Sequence, residues 1–322
     1  MPVIECAYRA PLLLKNGHTQ TVLGAYKPVA RIPYERVRIE TPDGDFLDID
    51  QAVPLRRERR LVIISYGMEG DSQRRYVRAM VRAMKASGRD VWVWNYRGAS
   101  GEPNRKVHFY HGGLIDDLGM VILEARIQGY LFIDLIGFSL GGNLVLNYLG
   151  KLGYRVPGEI RSAVCFSVPC DVEDCARQLQ RRDNRFYIRR FLQSFRERIR
   201  QKMHVMPGRI DDLGFEEITS LEAYDERYTV PHFGFDGVPQ FYRWVSSKYT
   251  LSGVQRRTLI VNALDDPFLG PDCFPREAAE KNPDLTLEIS RHGGHLGFLG
   301  WNPVATGWME RRALAFLDTN PS

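Results

Sequence analysis

The sequence predicts an α/β fold, with a mostly parallel central sheet, helices on both faces and an inserted helical cap. Three observations carry that expectation. Short apolar runs alternate with longer stretches of helical spacing, the pattern of βαβ units. One of these runs leads straight into Gly137-Phe138-Ser139-Leu140-Gly141 and then a helical segment, giving strand, sharp turn and helix in succession. The alternation breaks once, over residues 170–255, where the chain turns helical, basic and aromatic. That stretch interrupts the sheet after one strand and before the next. Residues 1–322 are therefore expected to form a single domain, with 170–255 as a cap inserted within it.

The elements follow in order. Residues 37–53 have the signature of a β-hairpin, with Thr41-Pro42-Asp43-Gly44 as the turn and Phe46, Leu47 and Ile49 as apolar side chains. Residues 61–66 are a continuous apolar run, as a strand buried on both faces requires. Residues 73–86 place Tyr76, Val77, Met80, Val81 and Met84 at helical spacing, and Gly88 ends the helix. A strand follows at 90–96. A helix follows at 114–127, with Asp116 and Asp117 in its first turn, where the helix dipole favours them. Residues 131–138 form the strand before Ser139, residues 143–149 lie in the helix after it, and 163–168 form another strand. Downstream come a strand at 258–263, a helix near 276–281, a strand at 285–290 and a closing helix near 304–317.

Composition narrows the function classes. An apolar fraction of 44% with 26% charged residues is ordinary for a soluble globular protein. No apolar run approaches the roughly 20 residues of a membrane span. Residues 1–10 carry Glu5 and Arg9 and lack a hydrophobic signal core, so secretion is not indicated. Five cysteines form an odd, sparse set, which points to reduced thiols in a cytoplasm. The spacing of Cys165, Cys170 and Cys175 comes without a histidine cluster, which argues against a metal site. The net charge of +5 is mild, and nothing resembles a nucleic-acid reading motif.

The turn at Ser139 holds the serine on strained backbone, so its neighbours two before and two after must be small. Its hydroxyl stands clear of the sheet and shares space with the N-terminus of the next helix. Alone, the pentapeptide also fits a glycine-rich turn around an ordinary serine. A serine becomes a useful nucleophile only when a base takes its proton and a third group orients that base. Such groups gather beyond the carboxyl ends of parallel strands. The strand 258–263 ends in Leu264-Asp265-Asp266-Pro267, which supplies two carboxylates. Asp266 is favoured as the acid, and Asp265 as the residue that caps the turn. The strand 285–290 is followed by Arg291-His292-Gly293-Gly294-His295. His295, beyond two glycines in a loop that can bend back over the sheet, is favoured as the base over His292. Ser139, Asp266 and His295 then follow the chain order serine, acid, histidine. A tetrahedral intermediate also needs preorganised N–H donors. The backbone N–H of Leu140 is one candidate. Met68 is the other, in Tyr66-Gly67-Met68-Glu69-Gly70, where glycines at 67 and 70 permit close backbone approach.

Together these segments resemble the YheT-like branch of the α/β-hydrolase superfamily, which includes the mammalian α/β-hydrolase domain-containing proteins one to three. Asn16-Gly17-His18-Thr19-Gln20-Thr21 is similar to the family's NxHxQT segment. Asn95-Tyr96-Arg97-Gly98, Ser100-Gly101-Glu102-Pro103-Asn104 and Tyr110-His111-Gly112-Gly113 resemble its NxRGxSGExN and YHxG stretches. The stretch 137–143 matches GxSLGGN, 262–268 matches NAxDDPF, and 292–298 matches HGGHxGF. The resemblance covers nearly the whole chain. It implies an α/β-hydrolase fold, with Ser139 as nucleophile, Asp266 as acid and His295 as base. It further implies carboxylic ester hydrolysis, often on acylglycerols or other acyl esters, with no cofactor. One departure stands out: Tyr66-Gly67 replaces the family's usual His-Gly beside the oxyanion loop.

The cap carries ten Lys/Arg between positions 174 and 202 against Asp174, Asp183 and Glu197. Residues 177–202 interleave arginines with Phe186, Tyr187, Ile188, Phe191, Leu192, Phe195 and Ile199, an amphipathic helical pattern. Two expectations follow from it. The stripe packs the cap onto the core with the arginines solvated, or the basic face is a lid that meets anionic lipid or an anionic acyl substrate in peripheral membrane contact. Residues 224–237 are expected at the pocket mouth. Arg97 either serves a substrate anion or forms a structural ion pair. The expected function is a serine esterase acting on small-molecule or lipid esters. The rivals are an acyltransferase with the same residues and a binding protein that leaves them unused.

Overall fold

A computed structural model of the chain describes residues 2–26, 28–53, 59–301 and 307–319. A nine-stranded sheet organises it. The strands are β1 (Val3–Glu5), β2 (Glu35–Glu40), β3 (Phe46–Ala52), β4 (Arg60–Ser65), β5 (Asp90–Asn95), β6 (Phe132–Phe138), β7 (Ile160–Phe166), β8 (Arg257–Ala263) and β9 (Leu285–Ser290). Their spatial order is β1-β9-β8-β7-β6-β4-β5-β3-β2. β2 pairs antiparallel with β3 and β3 antiparallel with β5, while every other pairing is parallel. The hairpin turn closes as its sequence requires, with the Gly44 N–H donating to the Thr41 carbonyl at 2.9 Å.

The central strands are covered on both faces, which explains their uninterrupted apolar runs: Leu61, Val62, Ile63 and Ile64 of β4 are fully buried, as are Ile133, Leu135 and Ile136 of β6. The described helices are α1 (Gly17–Tyr26), α2 (Arg75–Ala86), α3 (Ile115–Ile127), α4 (Leu140–Leu152), α5 (Val172–Leu179), α6 (Arg185–Val205), α7 (Leu221–Tyr228), α8 (Val230–Phe233), α9 (Val238–Val245), α10 (Arg276–Lys281) and α11 (Trp308–Asp318), and among them α2, α4 and α11 pack against the sheet. α1 and α11 pack on α2, and α3 packs on α4. The predicted start of the closing helix, 304–306, lies outside the described residues. Between β7 and β8 the described chain contains no strand, only α5–α9 and short 3₁₀ turns.

Two elements have no counterpart in the sequence expectations. β1 adds a strand beyond β9, pairing Val3 with Leu287. α1 carries too little apolar periodicity to stand out, yet it docks so closely that a Cβ on Gly17 would lie 1.7 Å from the Asp265 carbonyl oxygen. Arg97 is a structural residue. Its guanidinium donates to both carboxylate oxygens of Asp117, at 2.9 and 2.7 Å, and to Asp43 at 2.6 Å.

Candidate active site

The parallel order of β4, β6, β7, β8 and β9 brings five loops to one edge of the sheet. Ser65 of β4 lies in register with Gly137 of β6, so the loop 66–70 leaves the sheet beside Ser139. Ser139 sits at φ 53°, in the left-handed region that non-glycine residues rarely occupy. Its flanking glycines are obligatory: a Cβ on Gly137 would approach the Gly142 Cα to 2.4 Å, and one on Gly141 would approach the Ser65 carbonyl oxygen to 2.2 Å. The Ser139 N–H donates to the Phe166 carbonyl at 2.9 Å, which ties the turn to β7. Six described non-glycine residues have positive φ, and Glu69, Ser139, Ser167, Leu296 and Phe298 all lie on these loops; the sixth is Arg59. Strain of this kind collects where a chain positions functional groups.

Asp265 and Asp266 follow β8 as expected, and His292 and His295 follow β9. The two pairs divide their partners. His295 Nε2 lies 2.9 Å from Ser139 Oγ, and its Nδ1 lies 2.9 and 3.1 Å from the two Asp266 carboxylate oxygens. Asp266 is buried and also accepts the Phe268 N–H at 2.9 Å. Asp265 instead accepts the Gly294 N–H at 2.9 Å and lies 3.4 Å from His292 Nδ1. Burial raises the Asp265 carboxyl above its usual range, while the Gly294 N–H and His292 oppose that rise. Asp265 thus holds the glycine loop, and Asp266 meets the imidazole beside Ser139.

A family model for the alpha/beta hydrolase fold matches residues 60–300. The YheT protein of Escherichia coli (strain K12) is 30% identical over 313 residues, covering 94% of this chain and 91% of that one. The chain belongs to the YheT-like branch of the α/β-hydrolase family. Phospholipase ABHD3 of Homo sapiens is 28% identical over 96% of this hydrolase and 78% of its own length. Among solved structures, the Pyrococcus furiosus esterase Pf2001 shares the fold with a TM-score of 0.60 at 14% identity, covering 90% of this chain and 97% of that one.

In this α/β-hydrolase, Ser139 and His295 open onto a cavity of about 500 Å³. Its lining is mainly apolar and comes from α1, the loop 67–71, the start of α2, the segment 169–221 and the loop after β8, including Val22, Tyr76, Phe186, Tyr187, Phe191 and Phe268. The Phe268 ring lies against the His295 imidazole with centroids 4.2 Å apart. Leu140 and Met68 both line the same cavity. Leu140 opens α4, so its N–H has no partner within the helix. Beside Met68, the Gly67 N–H donates to the Tyr76 hydroxyl at 3.0 Å and the Glu69 N–H to the Tyr110 hydroxyl at 2.8 Å. No hydrogen bond holds the Met68 N–H itself among the described residues. Tyr66 points away into the core. It is fully buried, and its hydroxyl lies 3.3 Å from Asn95 Oδ1 and accepts the Tyr96 N–H at 3.1 Å. Its phenol therefore adds no polarity beside Ser139.

Several supporting residues escaped the sequence expectations. Thr21 accepts the His295 N–H at 2.8 Å and donates to the Gly17 carbonyl at 2.7 Å. Gln20 is buried and accepts the Leu299 N–H at 2.9 Å. These contacts give the segment 16–21 its physical role, because α1 grips the loop that carries His295. The Glu69 carboxylate accepts from the Tyr110 hydroxyl at 3.0 Å, from Arg198 Nε at 3.1 Å and from the Ser194 hydroxyl. The loop 66–70 is thereby joined to α6. The basic stripe of α6 is not uniformly solvated: Lys202 is 1% exposed, and Nζ donates to Asn104 Oδ1 and the Lys106 carbonyl at 2.5 Å each. The aromatic run 224–237 does not reach the pocket mouth as expected. Tyr224 stacks on Phe195 within the insertion, and Phe233 packs on His111. Leu221, just ahead of that run, reaches the cavity instead.

No described helix is long and apolar enough to cross a membrane.

Proposed function

We propose that this α/β-hydrolase is a serine carboxylic ester hydrolase that works through an acyl-enzyme on lipid-like acyl esters. The hydrogen-bonded series Ser139–His295–Asp266, opening onto an apolar cavity, carries the proposal. His295 Nε2 takes the proton as Ser139 Oγ attacks the ester carbonyl. Asp266 holds the imidazole with its Nδ1 protonated and stabilises the imidazolium that forms. The N–H groups of Leu140 and Met68 receive the oxyanion. The imidazolium then protonates the leaving alkoxide, and the alcohol departs. Water, deprotonated by His295, attacks the acyl-enzyme; the bond to Ser139 Oγ breaks, the imidazolium returns its proton to that oxygen, and the acid departs. No step calls for a cofactor. Residues 170–255 act as a cap that covers the acyl chain through Phe186, Tyr187 and Phe191. The apolar lining favours a lipid-like acyl group, and the human relative's name as a phospholipase points the same way. The exposed Phe186, Val22 and Tyr26 at the rim suit contact with a lipid surface. The described cysteines are all unpaired, which fits a reducing cytoplasm.

A fluorophosphonate probe tests the proposal. It labels the wild type and not Ser139→Ala, and the same substitution abolishes hydrolysis of p-nitrophenyl esters. Equal labelling of the two proteins, or labelling of neither, refutes it. Acyl transfer to an added alcohol in preference to water would make the chain an acyltransferase instead.

A further inference from the structure

The cavity has a second, charged end. Besides Ser139 and His295, the cavity lining takes Arg75 and Arg78 from α2 and Arg74 from the extended residue that caps α2. Arg75 and Arg78 are three apart on α2, so their side chains share a face, and Arg74 precedes them at the N-cap. Arg74 donates to the Glu69 carbonyl and lies 3.7 Å from Asp71, and Arg75 donates to the Tyr26 carbonyl at 2.6 Å. Arg78 differs. Its residue is only 9% exposed, yet its Nε has no hydrogen-bond partner. No ion pair holds its guanidinium among the described residues. Its charged neighbours are Arg75, Arg31 and Asp71, with the Tyr34 hydroxyl also close, and burial depresses its pKa. Asp71 is the carboxylate that acts on Arg78, and it already accepts the Gln73 N–H at 2.7 Å.

A buried guanidinium without a partner costs stability unless something compensates it. Arg78 sits on a cavity wall, among other arginines and close to a helix N-terminus, a place where an anion is favoured. We infer that Arg78, with Arg74 and Arg75, is the binding site for an anionic group of the ester substrate, a phosphate or carboxylate remote from the scissile bond. The inference rests on the ester-hydrolase reading for the word substrate, but the anion site itself stands apart from catalysis. The guanidinium plane suits a two-point hydrogen bond to such a group. The apolar stretch between Ser139 and Arg78 then takes the aliphatic part of the same molecule.

Two measurements test it. The first is binding alone, by calorimetry on the Ser139→Ala protein with octyl phosphate and octanol as probes. Octyl phosphate is expected to bind at least about tenfold more tightly, as hydrogen bonds to a charged group provide. Arg78→Met removes that preference, and Arg78→Lys, which keeps a point charge, restores part of it. The second is kinetic, as the ratio of kcat/KM for a charged ester over its neutral counterpart. 1-Acylglycerol 3-phosphate against 1-acylglycerol places the anion on the alcohol side, and mono-p-nitrophenyl glutarate against p-nitrophenyl valerate places it on the acyl side. One of the two ratios exceeds one in the wild type and collapses in Arg78→Met, which identifies the side. Equal binding of octyl phosphate and octanol overturns the site, as does a binding preference that survives Arg78→Met. If octyl phosphate binds through Arg78 but no ester is hydrolysed, the anion site stands and the hydrolase proposal falls.

Discussion

Asp265 and Asp266 are neighbours in sequence but face opposite duties, because successive residues leaving a strand end point in different directions. Only Asp266 reaches the His295 ring, and Asp265 is occupied by the Gly294 N–H and His292. Asp266→Asn is expected to lower kcat by about three to four orders of magnitude, since an amide holds the wrong imidazole tautomer. Asp265→Asn is expected to lower it by less than about tenfold, through a looser glycine loop. Steady-state kinetics on a p-nitrophenyl ester checks both, and the reverse order would reassign the acid. Ser139, the two aspartates and the two histidines could be picked out because each lies within a few residues of a strand end, whereas the pairing of Asp265 with His292 was not visible. Glu69 was not. Its role arises from Ser194, 125 residues further along, and from a backbone at φ 55° that no local pattern announces. The change at Tyr66 looked consequential in the sequence, and the fold sends that ring into the core instead.

At the scale of the element, α1 was hidden by its composition. It buries only Gly17 and Gln20, so it has no apolar stripe for a sequence to reveal. What it supplies is polar and steric: Thr21 to the His295 N–H, Gln20 to Leu299, and a glycine where the Asp265 carbonyl leaves no room for a side chain. Thr21→Val keeps the shape and removes the acceptor. It is expected to lower kcat by about tenfold, the worth of one buried hydrogen bond, with the melting temperature little changed. Thr21→Ser should recover most of the loss, and an equal defect in both variants would show that packing, not the hydroxyl, matters. The strands β4–β9 and the helices α2–α4 were visible for the opposite reason, since each buries apolar side chains. The segmentation of the insertion was less visible. Its long basic stripe gave one helix, whereas the chain breaks at a 3₁₀ turn over Arg182–Asn184 before α6 begins.

Across the whole molecule, the helices between β7 and β8 meet the rest of the chain through a seam that buries His111. His111 is 7% exposed, with Phe233, Phe241 and Trp244 around its ring, and its Nδ1 accepts the Gly113 N–H at 3.1 Å. Burial drives its pKa down to about 3, helped by the nearby His108 and Lys151. The unfolded chain takes up this proton below about pH 6.5, and the folded protein does so only near 3. The stability that His111 contributes is therefore present above pH 6.5 and lost as the pH falls toward 3. Between pH 7 and 5 the loss is about 2 kcal/mol. Urea unfolding at the two pH values is expected to show His111→Gln losing less stability than the wild type by about that amount. Identical losses would place the acid sensitivity elsewhere.

The pairing of β1 with β9 has a consequence in time. Leu287 leaves the ribosome 284 residues after its partner Val3. At about 5–20 residues per second, the first strand waits some tens of seconds for its neighbour. Thr21 and Gln20 wait for the 295–299 loop in the same way. Ser139 emerges midway, on a growing chain that has no imidazole to offer it. Ser139 therefore meets the His295 imidazole only after a further 156 residues have been made.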